Sequence, residues 1–447
     1  MRRGRRVRIF DIEAAYLNSK LNETIYVLPE PGLLDAPDGY VFPLLLPLYG
    51  LRQAGRCFYD TYSDVFEKFG AKSFLKEPGV WRCVKGDRSF ICVAFVDDWI
   101  FDGDDTLIEE FIKFAGSTFT IKETPIANDK TFLLLGMELK YTVVQSRLQL
   151  KITADRIAKT LLEKYKVQYP KDVSAPGHKL HQQLASDDRS KPLTREGTTR
   201  YQSAVGALMF LSSTCRPDLA HSAGALAIKM GQPTNNASKA LDHTLNYLSF
   251  TISAINRKYD LIFRQVENVS FPDFRNKQNV KLISYVDANH QSPRSTSGYV
   301  FIWDGCLIDW SSKRQRLTQL SSTGAEWDAL AHCTANALYM RDFMAFIGYN
   351  MSNSIKTAED NTGVLRWAQE LYRGQFSRRK HIDLRTFFIN DAVRYKIIKV
   401  LPVSTSYQYA DPMTKSLDYK SHENMFKKLL NFGQDCVIQV SDPLLIT

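Results

Sequence analysis

The sequence is poor in cysteine, with 7 in 447 residues, and none of them forms a Cys-x-x-Cys pair. A disulfide scaffold is excluded, and a structural zinc site is a poor reading. A reducing, intracellular setting is the simplest expectation. Long hydrophobic runs are missing too. No stretch of 18 apolar residues occurs, and the greasiest segment, 41–51, is interrupted by Pro43 and Pro47. A membrane-spanning helix is therefore not expected. Residues 1–8 hold five arginines with no apolar stretch behind them, which does not read as a secretory signal. The sequence contains no Gly-x-Ser-x-Gly and no Gly-x-x-x-x-Gly-Lys. A serine hydrolase of the nucleophile-elbow type and a P-loop nucleotidase are set aside.

Hydrophobic residues, by contrast, make up 44% and aromatics 12%. That is enough for packed cores along most of the chain. The length suggests roughly two to four domains. The 58 Lys and Arg exceed the 48 Asp and Glu, a net charge of +10. A mildly basic body with local clusters of acid suits a polyanion held around metal-binding carboxylates.

The pattern along the chain is mixed, α+β in class. Residues 6–10, 89–96, 132–140 and 148–152 read as strands, and 59–69 and 108–119 as helices. Three-to-four spacing of apolar residues predicts helices over 154–165, 201–213, 219–230 and 237–251. The polar stretch 177–197 reads as a loop or linker. From 280 the pattern changes, with strands at 280–286, 298–303 and 306–310 and a turn at Asp304-Gly305. A long helix over 324–346 follows, then strand, helix and strand signals near 355, 364–371 and 397–402.

Two sets of acids carry the chemistry. Asp11 and Asp97-Asp98 each stand at or just past the end of an apolar strand. Side by side they could hold paired Mg²⁺ ions for nucleotidyl transfer, although two acids after a strand also make an ordinary solvated turn. Tyr16 follows Asp11 by five residues, where a ring could sit under a nucleotide sugar, although by itself a Tyr at that offset is more often core. Arg52 and Gln53, in a strand-turn-helix run, could face a nucleotide. The second set is Asp287, Glu326, Asp360 and Asp411. They come from a first strand, a helix, a later strand and the C-terminal region, in that order. Four such carboxylates could hold two Mg²⁺ ions ~4 Å apart across a scissile phosphate. Ser295, Ser297, Ser311, Ser312 and Lys313 either touch RNA or form plain strand surface. The basic run 378–381 either binds a hybrid backbone or is a solvated face.

The segments DIEAAYLNSKLNETIYVLPEPG (11–32), LYGLRQAGRCFYD (48–60) and AFVDDWIFDG (94–103) together resemble the reverse transcriptase of copia-type LTR retrotransposons. So does LLLGMELK (133–140), which is similar to the strand pair gripping a primer end and includes Gly136 and Met137. RPDLAHSAGALA (216–227) and ALDHTLNYLSFT (240–251) resemble that family's segment between polymerase and nuclease. SYVDANHQSPRSTSGYVFIWDGCLIDWSSKRQ (284–315), LSSTGAEWDALA (320–331), EDNTG (359–363) and YADPMTKSL (409–417) resemble its ribonuclease H.

The resemblance implies four parts: a polymerase palm with partial fingers over 1–150, a helical thumb and connection over 151–278, a mixed-sheet ribonuclease H domain over 279–432, and a tail over 433–447. It implies that Asp11, Asp97 and Asp98 are polymerase metal ligands. Tyr16 would be the sugar gate, Arg52 and Gln53 nucleotide contacts, and Gly136 and Met137 primer contacts. Asp287, Glu326, Asp360 and Asp411 would be the nuclease ligands, with two Mg²⁺ or Mn²⁺ ions per site. The implied partners are an RNA template, a DNA primer, RNA–DNA hybrid, dNTPs and other parts of a retroelement polyprotein, with no membrane. The implied location is a cytoplasmic virus-like particle, or the nucleus. In the family a longer stretch precedes the first Asp, so an N-terminally truncated polymerase that does not extend primers alone is expected. A ribonuclease H-only enzyme and a non-catalytic nucleic-acid-binding relic are the alternatives.

Overall fold

The computed structural model describes residues 7–28, 30, 39–124, 131–144, 147–167, 173, 175–177, 179–186, 188–253, 259–264, 282–291, 293–372 and 383–430. The basic run 378–381 and Cys436 lie outside them. None of the described cysteines is disulfide-bonded.

The N-terminal part is an antiparallel sheet backed by two helices. Its elements are β1 (Arg8–Ile12), the short pair β2 (Tyr26–Val27) and β3 (Phe42–Pro43), α1 (Ala54–Phe69), β4 (Lys72–Phe74), β5 (Glu77–Lys85), β6 (Arg88–Phe95), β7 (Asp98–Gly103), α2 (Asp105–Ala115) and β8 (Ile121–Thr124). Six strands form one sheet in the order β4-β5-β6-β7-β1-β8. The apolar run read as a strand is β6, whose side chains alternate between core and surface. Helix α1 stops at Gly70, whose φ of 98° is the left-handed conformation glycine tolerates. Helix α2 starts at Asp104, whose carboxylate accepts from the Leu107 N–H at 2.9 Å. The helices lay rings on one face of the sheet. Phe66 stacks on Trp81 with centroids 4.8 Å apart and meets Phe111 at 4.4 Å. Each such pair adds ~0.5–1.5 kcal/mol beyond its buried area.

The middle part joins a second antiparallel sheet to helices. It comprises β9 (Thr131–Leu134), β10 (Met137–Val144), β11 (Arg147–Thr153), α3 (Asp155–Tyr165), α4 (Lys179–Ser186), α5 (Arg195–Thr214), α6 (Ala220–Ala227), α7 (Asn235–Ile252) and β12 (Leu261–Arg264), with sheet order β12-β11-β10-β9. Three expectations need correction here. Residues 132–140 are not one strand, because a turn at Leu135-Gly136, both at positive φ, divides them between β9 and β10. The stretch 177–197 is not a plain loop, because α4 lies within it and α5 begins at its end. Leu184 is buried, and buried His181 shares a 2.9 Å hydrogen bond with Thr244 of α7. Asp188 then ties the stretch to the start of α7, accepting from Ser190 Oγ at 2.7 Å and Asn236 Nδ2 at 3.2 Å. The helix expected over 219–230 is shorter. A 3-10 turn, Pro217–Leu219, leads into α6, which ends at Ala227.

The C-terminal part is a five-stranded mixed sheet with helices. It contains β13 (Leu282–Asn289), β14 (Thr296–Trp303), β15 (Cys306–Arg314), α8 (Ser322–Phe346), β16 (Ile355–Glu359), α9 (Thr362–Tyr372), α10 (Asp383–Arg394), β17 (Ile398–Pro402), α11 (Asp411–Thr414) and α12 (Tyr419–Leu429). The order is β15-β14-β13-β16-β17. β13, β14 and β15 pair antiparallel, while β16 runs parallel to β13 and to β17. Asp304 and Gly305, with φ of 46° and 78°, make the expected two-residue turn. Helix α8 is capped by Ser321, whose hydroxyl accepts from the Gly324 N–H at 3.1 Å. It buries Leu330, Cys333 and Ala337 in one core with Val286 and Phe301. The other sheet face, with Tyr285, Val300 and Ile302, shares a core with α5, α6 and α7.

The first sheet also touches α8. Phe74 lies 5.2 Å, ring to ring, from Phe346, Arg82 Nη1 donates to the Phe346 carbonyl at 2.6 Å, and Lys76 pairs with Asp342 at 2.6 Å.

Candidate active sites

The first acidic site sits at the meeting of β1 and β7. Asp11 and Asp98 are direct cross-strand partners, so their side chains rise from the same face. Their neighbours Phe10 and Trp99 point into the aromatic core. Asp11 is thus the last residue but one of β1 and Asp98 the first of β7, both at strand ends. Asp97 stands in the turn between β6 and β7, where its carbonyl accepts from the Ile12 N–H at 2.9 Å. That turn places Val96 at a φ of 52°. A β-branched residue in the left-handed region is strained, and such strain gathers at functional turns. Burial, then Asp97 and Asp11, raise the Asp98 carboxyl above its ordinary range.

The residues proposed around it are spread differently. Tyr16, in the 3-10 turn Ala15–Asn18, is half-buried, with its ring 4.7 Å from Tyr49 and 6.3 Å from Phe58. Arg52 is exposed. Gln53 Nε2 donates to Glu23 at 2.7 Å, at the start of α1. Gly136 has a φ of 80° in the turn between β9 and β10, and Met137 opens β10. A Cβ on Gly136 would come 3.3 Å from Phe210, so the turn lies close to α5.

The second site is tighter. Asp287, Glu326 and Asp360 each bring a carboxylate oxygen to within 4.8 Å of the others. β13 carries Asp287 in its interior, the second turn of α8 carries Glu326, and Asp360 follows β16 directly. The parallel pairing of β13 with β16 sets the first and third side by side. Asp411 opens α11 on the same side. It is buried, and its Oδ1 is 2.8 Å from Lys415 Nζ, which is also 3.9 Å from Asp287 Oδ2. Thr414 Oγ1 donates to Asp287 Oδ2. Among the described residues, Asp11, Asp97 and Asp98 form no cluster as tight as the Asp287 trio.

The electrostatics mark the second site as short of positive charge. Burial, then Glu359, Asp287 and Asp360, push Glu326 up to about 10. Burial raises Asp287, with Lys415 and Thr414 pulling it back. Burial, then Asp287, push Asp411 up to about 6 against the pull of Lys415. Glu326 Oε2 is buried with no hydrogen-bond partner. Hard, converging carboxylate oxygens and an orphaned buried one fit a divalent cation of the Mg²⁺ type.

Two neighbours of the site were not singled out from sequence. Glu359 is fully buried beside Asp360 and is held well above the usual carboxylate range, first by burial. Its Oε1 accepts from the Asn361 N–H at 2.9 Å. The signal was the adjacent pair Glu359-Asp360, which reads as one ligand and one solvated acid. Lys415 is the other, legible only as i+4 from Asp411. The serines resolve in part. Ser295 and Ser297 are buried, so they are neither strand surface nor open RNA contacts, whereas Ser311 and Ser312 are half-buried and Lys313 is exposed. Gln315 explains Ser297, donating to its hydroxyl at 2.9 Å and to the Ala325 carbonyl at 2.8 Å, next to Glu326.

Gly298 is the cross-strand partner of Asp287. A Cβ there would lie 2.6 Å from Met413 and Thr414 of α11. Gly298→Ala is expected to destabilise this part by ~1–3 kcal/mol through overpacking. It should also push Asp411 away from Asp287. A urea midpoint unchanged from the parent would contradict that packing.

A family model described as reverse transcriptase (RNA-dependent DNA polymerase) matches residues 1–176. The retrovirus-related Pol polyprotein from transposon RE2 of Arabidopsis thaliana is 28% identical over 436 residues, 95% of this chain and 27% of that protein. The Pol polyprotein from transposon TNT 1-94 of Nicotiana tabacum is 28% identical over 420 residues, 91% of this chain and 29% of that protein. The chain thus spans little more than a quarter of these relatives. A protein named secreted RxLR effector protein 161, of Plasmopara viticola, is 37% identical over 144 residues, 31% of this chain and 90% of that protein. The acids of the β1–β7 pair fall inside the matched reverse-transcriptase region, and the similarity to the transposon proteins runs on through the mixed sheet: along nearly its whole length the chain is similar to one portion of the Pol polyproteins of copia-type retrotransposons.

Proposed function

We propose that this chain is the reverse-transcriptase and ribonuclease H portion of a retrotransposon polyprotein. In this reading the Asp287, Glu326 and Asp360 centre, with Asp411, cuts the RNA strand of RNA–DNA hybrids. The observation that carries the nuclease part is the approach of three carboxylates from three separate elements to within 4.8 Å, one of them with an orphaned buried oxygen. Divalent metal dependence is general to reverse transcriptases. Two Mg²⁺ or Mn²⁺ ions per site, activating a water and steadying the leaving oxygen, would supply the hydrolytic chemistry here. Asp287, Glu326 and Asp360 would hold the ions, and Asp411 would complete the set. Asp287 is fixed for this by Thr414, and Glu326 by the Gln315 link to the first turn of α8.

In the N-terminal part, Asp11 and Asp98 with Asp97 would place the primer 3′-OH against the α-phosphate of a dNTP. Tyr16 would lie under the sugar, and its packing on Tyr49 and Phe58 would hold the ring there. Gln53, and Gly136 with Met137, would contact nucleotide and primer. Template, primer, hybrid and dNTPs are the partners this reading requires, with the rest of the polyprotein and a cytoplasmic particle or the nucleus as its setting. Among the described residues no helix is long and apolar enough to cross a membrane. A ribonuclease H-only enzyme is the second reading. What favours it is that the nuclease acids converge while Asp11, Asp97 and Asp98 do not reach the same closeness.

The two centres should be separable, because no ligand is shared. Asp97→Asn with Asp98→Asn is expected to eliminate any primer extension and to leave RNA cleavage without dNTPs within about twofold of the parent. Loss of cleavage in a folded double variant would overturn the assignment of the two sets of acids to different reactions.

A further inference from the structure

We propose that Lys415 is a built-in cation of the second site, whose ammonium occupies the space between Asp411 and Asp287 and competes there with a divalent ion. This rests on the nuclease reading of the site. Lys415 Nζ is 2.8 Å from Asp411 Oδ1 and 3.9 Å from Asp287 Oδ2. Its backbone N–H donates to the Asp411 carbonyl at 3.1 Å, which fixes the start of the side chain beside α11. Thr414 adds a hydroxyl to Asp287 and a second bond, at 3.1 Å, to the Asp411 carbonyl. Thr414 and Lys415 thus present one hydroxyl and one ammonium to two buried carboxylates.

The cluster is asymmetric as a result. Among the described residues no lysine forms an ion pair with Glu326 or Asp360, Lys415 acting on Asp360 only at longer range, and Glu326 keeps an orphaned oxygen. The carboxylate oxygens of Asp287, Glu326 and Asp360, within 4.8 Å of one another, are the place for a first divalent ion. The face of Asp287 toward Asp411 already carries a positive charge. Mg²⁺ binds carboxylate oxygen at about 2.0–2.1 Å. An ion held by Asp287 and Asp411 would sit within a few ångströms of the ammonium that lies on both carboxylates. Two unit positive charges ~4 Å apart near a protein surface repel by several kcal/mol. A second ion therefore enters only as Lys415 leaves. The lysine side chain is about a third exposed, at 35%, so it has a path to solvent. The consequence is graded loading: a first ion at the trio, and a second ion weakened by displacement of the lysine. With no second ion, Lys415 keeps Asp287 and Asp411 from repelling each other.

The test is calorimetric titration of Mn²⁺ into the whole chain without nucleic acid, for the parent, Lys415→Gln and Lys415→Arg. Lys415→Gln is expected to bind the second ion at least about tenfold more tightly than the parent, and Lys415→Arg to stay near the parent. In EDTA, Lys415→Gln should unfold at lower urea than the parent, and saturating Mn²⁺ should close the gap. Should Lys415→Gln fail to fold, amine acylation of the parent followed by mass spectrometry serves instead. Mn²⁺ should speed modification of Lys415 several-fold against the other lysines. Identical isotherms for parent and Lys415→Gln, or Lys415 acylation unmoved by Mn²⁺, overturn the proposal. None of these readouts needs RNA cleavage. Unchanged isotherms with intact hybrid cleavage remove the lysine proposal alone, and shifted isotherms without cleavage remove the nuclease reading alone.

Discussion

Asp287→Asn combined with Glu326→Gln is expected to lower Mg²⁺-dependent cleavage of RNA in an RNA–DNA hybrid by at least ~10³-fold. The estimate follows from losing several kcal/mol of transition-state stabilisation when two of the converging carboxylates become neutral amides. The substitutions nearly preserve shape, so packing is kept. The fold should not suffer. Glu326 is buried among Glu359, Asp287 and Asp360, and burial itself opposes its charge. Removing two acids from such a cluster relieves repulsion. The urea midpoint of the double variant should equal or exceed that of the parent in EDTA, and Mg²⁺ should stabilise the parent more than the double variant. Cleavage by the double variant within tenfold of the parent would show that these acids are not the ligands.

Arg216→Ala is expected to destabilise the chain by ~3–5 kcal/mol, a large share of an ordinary domain's ~5–15 kcal/mol. Arg216 and Asp218 are both buried where α5 gives way to α6. The guanidinium grips Asp218 with two bonds, 2.8 and 2.6 Å, and Thr251 Oγ1 with a third of 2.8 Å. The Tyr247 hydroxyl donates to Asp218 at 3.0 Å. Without the arginine, Asp218 is a buried charge with one neutral donor. The double variant Arg216→Met, Asp218→Leu should recover most of the loss, because well-packed apolar groups can replace a buried ion pair. Urea unfolding of the three proteins measures both effects. An unchanged midpoint in Arg216→Ala would mean the pair is solvated or dispensable.

The strands were legible where an apolar run was bounded by turn residues. Residues 89–96 became β6 almost unaltered, and Asp304-Gly305 became the turn between β14 and β15. Helix α4 was hidden because its apolar positions, Leu180 and Leu184, sit in a polar stretch and its partner Thr244 lies 63 residues beyond His181. The break after Ala227 was hidden because apolar spacing continues through Ile228 and Met230. At the second site, Asp287, Glu326 and Asp360 were legible from their local motifs, and the parallel pairing of β13 with β16 is what draws the strand acids together. Glu359 was not legible as buried, because two adjacent acids look alike until the covering elements are known. Lys415 was not legible as a site residue for the same reason: an ammonium four residues from a carboxylate is commonplace on a surface and consequential only when Asp287 faces it.

The most direct measurement uses an RNA–DNA hybrid with separate labels on its two strands, incubated with the whole chain and Mg²⁺ in the absence of dNTPs. Fragments of the RNA strand alone are expected, none from single-stranded RNA or duplex DNA, and none in EDTA. Intact RNA in the presence of a protein that unfolds cooperatively and binds the hybrid would contradict the nuclease reading.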